Sequence, residues 1–340
     1  MKILFCDEVP RRPETLRGLL PDEEILTSPA NTVAEVGLDV DVLIPIMHNL
    51  EPDLIAHTRA RLIQQWGVGL EVVDIPAASV RGILVCNVPS DLSSNAESTA
   101  EHAVFMMLGV ARRIHGCLAA FRNRTWHHPV GEGLFGNIAL IVGLGRVGKA
   151  LAKRLKALGM TVCAVRRTAN HESERALGLD RVGYPSDLLE MASSADFVIS
   201  TTILTDESRG LFGKKLFHAM KPTAFVINVS RGGVVSERDL LEALQKGEIG
   251  GAGLDVFEHE PLDPDSPLLK LDNVFATPHV AGVTRQNNEG TGRIVAENIG
   301  LIKQGKTPLY CVNLAGVRGL GEAPEHSSSR VICGSQKRHV

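Results

Sequence analysis

The second half of the chain places side chains suited to acid–base chemistry at or near the ends of successive apolar segments: Arg231, Asp255, Glu258, Glu260 and His279. The planar guanidinium of an arginine can grip two oxygens of a carboxylate. A carboxylate beside an imidazole favours the protonated ring and fixes its orientation, which suits a general acid–base pair. Each residue alone could be structural, but together they predict a site that binds an anion and exchanges a proton.

The positions of these residues in predicted strands support the same interpretation. Arg231 follows the apolar run 224–229, and His279 follows the run 274–276. In open α/β sheets, ligands bind at the carboxyl ends of the strands. Asp255 is predicted to lie inside a strand, 253–257, where a carboxylate is costly unless it is paired.

A glycine-rich segment lies in the middle of the chain. The apolar run 138–142 precedes three glycines that read G-x-G-x-x-G: Gly143, Gly145 and Gly148. Apolar residues at helical spacing follow as far as Gly159. Between a strand and a helix, such glycines make a tight turn, let the backbone approach a pyrophosphate and let helix pack on strand. The helix N-terminus offers free N–H groups to phosphate, so the segment predicts a dinucleotide site.

Two arginines, Arg166 and Arg167, follow the next predicted strand, 161–165. This position, roughly 20 residues past the glycines, usually carries an acid that binds the ribose 2′-hydroxyl of NAD. A cationic pair suits the 2′-phosphate of NADP instead, through charge-assisted hydrogen bonds. The sequence therefore predicts NADP as cofactor, with NAD as the alternative if the two arginines are simply solvated.

The composition excludes several classes of partner. The chain has 340 residues, is 44% hydrophobic and carries a formal net charge of −3, so neither nucleic acid nor an acidic membrane surface is expected. The first apolar run is too short for a secretory signal, and no segment reaches transmembrane length. Six cysteines are scattered without a C-x-x-C pair, which predicts reduced thiols, no metal site and a cytoplasmic protein.

Alternating strand and helix patterns run through most of the chain and predict the α/β class with parallel sheets. One series occupies residues 1–90, a long helical pattern follows at 95–113, and a second series begins at 138. A final helix, 286–303, is expected to return the chain to the first domain. The predicted organisation is a substrate domain of 1–97 and 284–315, a dinucleotide-binding domain of 98–283, and a mobile tail of 316–340.

Four ordered motifs resemble those of the D-isomer-specific 2-hydroxyacid dehydrogenases. After G-x-G-x-x-G come N-x-x-R-G at 228–232, G-L-D-V-F-x-x-E-P-L at 253–262 and P-H-x-A-G at 278–282. The similarity reaches about residue 313 and takes in the segments 66–78, 81–89 and 100–102. It implies two Rossmann-like, doubly wound parallel-sheet domains with a cleft between them, and a homodimer formed through the nucleotide domain.

The resemblance also implies residue roles. Arg231 would hold the carboxylate and carbonyl oxygen of the substrate, His279 would exchange the proton, and Glu260 would orient and charge it. Backbone N–H groups of Val68 and Gly69 would bind the substrate carboxylate. Cofactor contacts would come from Arg146 and Val147 at the pyrophosphate, from Asp255 at the nicotinamide amide, and from three further positions: Thr201, Val229 and Gly282. The implied reaction interconverts a small 2-oxo acid and its D-2-hydroxy acid with NAD(P), and glyoxylate or hydroxypyruvate is the first expectation.

Three positions depart from the pattern common in this family. Arg166 replaces an acid, as in its NADPH-using reductases, Thr201 begins a segment that often reads H-x-P-L-T, and Glu71 replaces Asp or Asn. A phosphoglycerate dehydrogenase and a dinucleotide-sensing corepressor remain alternatives. Two observations disfavour these alternatives. The chain beyond the second series is short, which leaves no room for an added regulatory domain, and the sequence has no basic patch. His127 and His128 are interpreted as a loop pair, and Glu101 and His102 as part of the packing of a helix.

Overall fold

The computed structural model describes residues 1–7, 11–168 and 171–317, so most of the predicted tail, 318–340, lies outside the described residues. The chain divides into two compact units. One comprises Met1–Asn87 with the described residues from Ile294 onward, and the other comprises Val88–Arg293. The functional domain limits at 97 and 284 stay predictions.

The first unit contains a five-stranded parallel sheet with the strand order β2-β1-β3-β4-β5. Its central strands are apolar and buried, as expected of a parallel sheet with helices on its faces. The strands are β1 (Lys2–Phe5), β2 (Glu24–Thr27), β3 (Val42–Ile44), β4 (Leu62–Gln64) and β5 (Leu84–Cys86). The helices between them are α1 (Arg12–Leu19), α2 (Val33–Val36), α3 (Pro52–His57) and α4 (Ile75–Val80).

The second unit contains a seven-stranded parallel sheet with the order β12-β11-β10-β9-β6-β7-β8. Alternate residues of one strand enter different apolar clusters, since Leu140 packs on one face and Ile141 on the other. The strands are β6 (Ile138–Val142), β7 (Thr161–Val165), β8 (Arg181–Gly183), β9 (Phe197–Ser200), β10 (Phe225–Asn228), β11 (Gly251–Leu254) and β12 (Val274–Ala276).

Helices flank this sheet and complete the second unit. They are α5 (Asn95–Ala111), α6 (Ile114–Arg122), α7 (Arg146–Ala157), α8 (His171–Ala176), α9 (Leu188–Ser194), α10 (Lys214–Ala219), α11 (Glu237–Gln245) and α12 (Arg285–Lys303), the last of which continues into the first unit. Strand order reverses between β6 and β9, because the chain adds β7 and β8 on one side and β9 to β12 on the other. The carboxyl ends of the strands at such a reversal are where open α/β sheets bind ligands.

The predicted α/β fold with two parallel sheets is confirmed, with local differences. The strand predicted at 253–257 is β11, which ends at Leu254, so Asp255 lies just after a strand rather than inside one. The register of β11 begins with Gly251 opposite Phe225 of β10, and this pairing overrides the low strand propensity of glycine. Sequence patterns also missed the edge strand β8 and the helix α6. Within the described residues no single helix is long and apolar enough to cross a membrane; α5 and α6 meet those criteria only as a pair bent by 53°.

Candidate active site

The glycine-rich turn joins β6 to α7 at the reversal of strand order. Gly143 has φ +100°, a conformation that favours glycine, and a Cβ on Gly148 would lie 2.2 Å from the carbonyl oxygen of Gly143. A Cβ on Gly145 would meet no atom within 4 Å, so open space lies where this residue faces out of the turn. The N-terminus of the 12-residue helix α7 follows directly. A tight turn, open space and free N–H groups together fit the pyrophosphate of a dinucleotide.

Side chains near this turn differ in burial: Thr201 is partly buried, Arg146 is exposed and Val229 is buried. Thr201 Oγ1 donates to the carbonyl oxygen of Gly143 at 2.5 Å, which ties the end of β9 to the turn. Arg146 Nε lies 2.7 Å from Asp91 Oδ1 at the start of α7. Val229, directly after β10, is buried at 6% exposure. Cofactor contacts by these residues stay predictions, and the structure places the hydroxyl of Thr201 on the turn itself.

Arg166 and Arg167 follow β7, as predicted, but their side chains differ in environment. Arg167 is exposed, whereas the side chain of Arg166 is 17% exposed and its Nη1 lies 3.5 Å from Glu174 Oε1. The buried Nε of Arg166 has no hydrogen-bond partner among the residues described. A cavity of about 430 Å³ is lined by Arg166 together with Glu174, Arg175, Asp180, Arg181 and Tyr184. The three arginines of this lining fit an anionic group.

The loop after β10 holds Arg231 through a polar cluster. Asn228 accepts hydrogen bonds from Ser230 N (3.1 Å) and Ser230 Oγ (2.9 Å), and its Nδ2 donates to Arg231 O at 3.0 Å. Ser230 Oγ also lies 2.7 Å from Ser200 Oγ at the end of β9. Arg231 Nη1 donates to the carbonyl oxygen of Ser230 at 2.8 Å. Burial of Asn228 and Ser230 makes these bonds necessary, so the backbone position of Arg231 is well fixed.

A close backbone contact brings this loop against the loop after β11. A Cβ on Gly232 would lie 1.8 Å from the backbone of Phe257, so only glycine fits there. The loop that follows β11 therefore lies against the loop that carries Arg231. This contact explains why the N-x-x-R-G motif requires glycine at position 232.

Glu260 and His279 form the pair that the motifs implied. Glu260 Oε2 lies 2.7 Å from His279 Nδ1, and Glu260 Oε1 accepts the N–H of Phe257 at 2.9 Å. The side chains are 20% and 35% exposed, so the pair is partly shielded yet reachable. Because Nδ1 is bound by the carboxylate, Nε2 is the ring nitrogen placed to exchange a proton with a ligand.

Glu258, an equally near carboxylate in the sequence, points elsewhere. Its Oε1 accepts the N–H of Glu237 at 3.1 Å, and Glu237 Oε1 accepts the N–H of Glu258 at 2.6 Å. This reciprocal contact ties the loop after β11 to the start of α11. Of the three carboxylates considered, Glu260 is therefore the one bound to the ring of His279.

Asp255 holds the turn that carries His279. Its Oδ1 accepts the N–H of Val280 and its Oδ2 that of Ala281, both at 2.9 Å, and its carbonyl oxygen accepts the N–H of His279 at 2.7 Å. His279 itself has φ +53°, in the left-handed region that is unfavourable for a side-chain-bearing residue. The bonds of Asp255 thus hold a strained turn. The side chain of Asp255 is buried at 0% exposure, and its contact with the nicotinamide amide stays a prediction.

Two neighbours complete the surroundings of Asp255. Thr277 Oγ1 donates to Asp255 Oδ1 at 2.6 Å, and His102 Nε2 lies 2.9 Å from Thr277 Oγ1 and 3.3 Å from Asp255 Oδ1. Burial of Asp255 works to raise its pKa, but hydrogen bonds from His102, Thr277 and the two N–H groups outweigh burial and lower that pKa below its ordinary value. The interpretation of His102 as helix packing was therefore incomplete. The burial of Asp255 indicated that its carboxylate must have a partner. Helical periodicity could not identify His102 as that partner.

The remaining predicted site residues occupy other places. Gly282 packs against α5, since a Cβ on it would lie 2.3 Å from Asn95 Oδ1. Val68 and Gly69 lie in the first unit, in the loop after β4. The carbonyl oxygen of Val68 accepts a hydrogen bond from Asn87 Nδ2 at 2.8 Å, so Asn87 anchors that loop. Sequence reasoning did not single out Asn87.

Comparisons with known proteins agree with these motifs. Residues 104–281 match the family model described as D-isomer specific 2-hydroxyacid dehydrogenase, NAD binding domain. The glyoxylate reductase of Thermococcus litoralis is 37% identical over 296 residues, which cover 84% of this chain and 87% of that protein. The D-3-phosphoglycerate dehydrogenase of Archaeoglobus fulgidus is 40% identical over 259 residues, which cover 76% of this chain but 48% of that protein. The chain therefore matches about half the length of that relative.

A solved structure shows similarity over most of the chain. The NADPH-dependent glyoxylate/hydroxypyruvate reductase of Sinorhizobium meliloti, in complex with NADP and malonate, aligns with a TM-score of 0.78 at 29% identity. The alignment covers 95% of this chain and 99% of that one. With the fold, the glycine-rich turn and the Glu260–His279 pair in place, the family match accounts for the four motifs in order, and the chain belongs to the D-isomer specific 2-hydroxyacid dehydrogenases.

Proposed function

We propose that this chain reduces a small 2-oxo acid to the corresponding 2-hydroxy acid with NADPH, and that glyoxylate and hydroxypyruvate are substrates. The observation that carries the proposal is the 2.7 Å contact between Glu260 Oε2 and His279 Nδ1. A carboxylate bound to one ring nitrogen stabilises the imidazolium and leaves the other nitrogen to donate a proton. Similarity to the Thermococcus litoralis and Sinorhizobium meliloti reductases supports the choice of substrates.

The proposed mechanism assigns one task to each side chain. Arg231 binds the substrate carboxylate and carbonyl oxygen, and its charge stabilises the negative charge that develops on that oxygen. A nicotinamide held by the glycine-rich turn and the arginines after β7 would supply the hydride that the carbonyl carbon accepts. His279 Nε2 gives its proton to the same oxygen, which completes the hydroxyl group. Glu260 stabilises the imidazolium before the transfer and keeps the ring oriented after it, and Asp255 fixes the turn.

The proposed cofactor site combines the glycine-rich turn with the arginines after β7. Backbone N–H groups at Arg146 and Val147 would hold the pyrophosphate at the N-terminus of α7. Arg166 and Arg167 would bind the 2′-phosphate of NADP, a role that fits the unsatisfied Nε of Arg166. Val68 and Gly69, in the first unit, are proposed to bind the substrate carboxylate through their N–H groups.

A homodimer is proposed on the basis of exposed apolar side chains in the second unit. Such side chains follow one another along α5, α6 and the loop before β6: Phe105, Leu108, Leu118, Phe121, Trp126, Val130 and Phe135. Large exposed apolar surfaces mark association sites, and a second copy is the occupant that the family resemblance implies. Sedimentation of the purified protein should give the mass of a dimer, and Phe121→Asp, at a side chain 72% exposed, should shift it toward the monomer.

A substrate panel tests the proposed function. Oxidation of NADPH is followed by its absorbance with glyoxylate, hydroxypyruvate, pyruvate and 3-phosphohydroxypyruvate. We expect kcat/KM to be highest for glyoxylate or hydroxypyruvate. A preference for 3-phosphohydroxypyruvate would instead indicate a phosphoglycerate dehydrogenase. NADPH binding without turnover of any 2-oxo acid would indicate a dinucleotide-sensing regulator.

A further inference from the structure

Two cysteines of the first unit lie opposite each other. Cys86 ends β5, and Cys311 lies after α12, where the two residues form an isolated antiparallel bridge. Two backbone hydrogen bonds flank the bridge without involving either cysteine: Val312 N to Val85 O at 2.9 Å and Asn87 N to Tyr310 O at 3.5 Å. Cys86 and Cys311 are therefore a non-hydrogen-bonded pair.

This kind of pair has the geometry that a disulfide needs. In a non-hydrogen-bonded antiparallel pair the Cα atoms are about 4.5 Å apart and the side chains are on the same face. Disulfides span Cα separations of about 4.4–6.8 Å. Both thiols are free in this structure, and the other described cysteines, Cys6, Cys117 and Cys163, are free as well and form no such bridge.

The two thiols differ in exposure and in acidity. Cys86 is fully buried, whereas Cys311 is partly exposed. The contact with the Cys86 thiol lowers the pKa of Cys311, helped by the N–H groups of Asn313 and Leu314 and opposed by burial. The Cys311 thiol lies 3.4 Å from Asn313 Oδ1, to which it donates. The same contact, together with burial, raises the pKa of Cys86. The thiolate is the reactive form of cysteine, so Cys311 is the accessible nucleophile and Cys86 the adjacent thiol.

We propose that Cys86 and Cys311 are an oxidant-responsive pair that closes to a reversible disulfide in the presence of a peroxide. The Cys311 thiolate attacks one peroxide oxygen, the O–O bond breaks, and a sulfenic acid forms as hydroxide leaves. The Cys86 sulfur then attacks the sulfur of that sulfenic acid. The S–S bond forms, and the hydroxyl group leaves as water with the Cys86 proton. Two electrons pass from the two sulfurs to the peroxide, and a thiol reductant reverses the change.

The position of this pair connects it to the loop that contains Val68. The carbonyl oxygen of Cys86 accepts the N–H of Gln65 at 2.8 Å, at the start of that loop. Asn87, the next residue, donates to the carbonyl oxygen of Val68 at 2.8 Å. Cross-linking Cys86 therefore constrains the residue that makes one of these hydrogen bonds to the loop and adjoins the residue that makes the other. If Val68 and Gly69 bind the substrate carboxylate, as the proposed function states, the disulfide alters KM for the 2-oxo acid more than KM for NADPH.

Peptide mapping tests the disulfide without reference to activity. The full-length protein is treated with an equimolar amount of hydrogen peroxide, its free thiols are alkylated, and the digest is analysed without reduction. We expect a peptide that links Cys86 to Cys311, absent from Cys311→Ser and reversed by dithiothreitol. Cys117→Ser, a partly exposed cysteine of the second unit, is the matched control and should keep the link. Over-oxidation of Cys311 with Cys86 still alkylated would overturn the proposal, as would a link from Cys311 to Cys333.

Kinetics test the effect on the loop. Oxidised wild type should show KM for glyoxylate raised at least about threefold, with KM for NADPH within about 1.5-fold, and Cys311→Ser should not respond to peroxide. An unchanged KM in a fully cross-linked protein would overturn the connection to the loop. If no 2-oxo acid is turned over before oxidation, the proposed function fails, and the peptide map still decides the disulfide.

Discussion

Replacement of Asp255 by Asn keeps the side-chain shape and removes the charge that holds the turn of His279. The amide can keep one oxygen toward Thr277 and Val280, but its NH2 group then faces the N–H of Ala281. One hydrogen bond is lost, and the buried N–H of Ala281 is left facing the amide NH2 without an acceptor, which costs about 1–3 kcal/mol. Loss of the charge weakens the other three bonds, from His102, Thr277 and Val280, by about 1 kcal/mol each. We therefore expect the free energy of unfolding to fall by roughly 4–6 kcal/mol, a large share of the about 5–15 kcal/mol typical of proteins.

The pH dependence of this effect has a definite sign. The pKa of Asp255 is lowered in the folded protein, so the stabilisation that its carboxylate contributes is fully present above its unfolded pKa, about 4. It is lost as the pH falls through the lower folded pKa. The difference in unfolding free energy between wild type and Asp255→Asn should accordingly be constant near neutral pH and shrink only below about pH 4.

Urea unfolding and steady-state kinetics check the prediction together. Asp255→Asn should lower kcat by about 10–100-fold, because displacement of the His279 turn by about 1 Å misaligns the proton donor. NADPH affinity should change less than about threefold, since the carboxylate is buried. Asp196→Asn is the matched control. It loses a carboxylate that accepts a hydrogen bond from the N–H of Ile138 and forms an ion pair with Lys221, at the opposite edge of the sheet. An Asp255→Asn protein with wild-type stability and kcat would refute the reasoning. A selective loss of NADPH affinity would instead support the predicted contact of Asp255 with the nicotinamide amide.

Three further predictions test other parts of the site. Gly148→Ala places a Cβ 2.2 Å from Gly143 O, so NADPH affinity measured by nicotinamide fluorescence should fall at least about tenfold; unchanged affinity would contradict the close approach in the turn. Glu260→Gln should lower kcat/KM for reduction about tenfold and move the alkaline limb of its pH profile to lower pH, whereas Glu258→Gln should stay within about twofold of wild type; equal effects would show that the contact with His279 is not what matters. Wild type should prefer NADPH over NADH at least about tenfold in kcat/KM, and Arg166→Asp should shrink or reverse that ratio; a wild-type preference for NADH would refute the assignment of the arginines.

Sequence patterns predicted most of the fold because parallel strands are continuous apolar runs. The limits of β7 and β12 agree with the predicted segments 161–165 and 274–276. The error at β11 has a physical cause: Val256 and Phe257 are buried in a loop, and burial alone makes a loop resemble a strand. The edge strand β8, three residues long with Arg181 exposed, lacks the apolar signal altogether.

The sequence predicted those contacts of the candidate site that lie within the motifs. It did not predict contacts between residues that are far apart in sequence. The pairing of Glu260 with His279 was expected from the motif order, whereas the choice against Glu258 depends on its contact with Glu237. His102 is about 150 residues from Asp255 in sequence, and no local pattern relates them. The burial and contacts of Arg166 likewise depend on α8, which composition alone does not place.

The central claim is that His279 supplies the proton for reduction of a 2-oxo acid. The measurement that tests it most directly is kcat for glyoxylate reduction by His279→Ala, with the NADPH dissociation constant determined on the same protein. We expect kcat to fall by about 10²–10⁴, the usual contribution of a general acid, and the dissociation constant to stay within about threefold of wild type. A kcat within about threefold of wild type would contradict the claim and place the proton donor elsewhere.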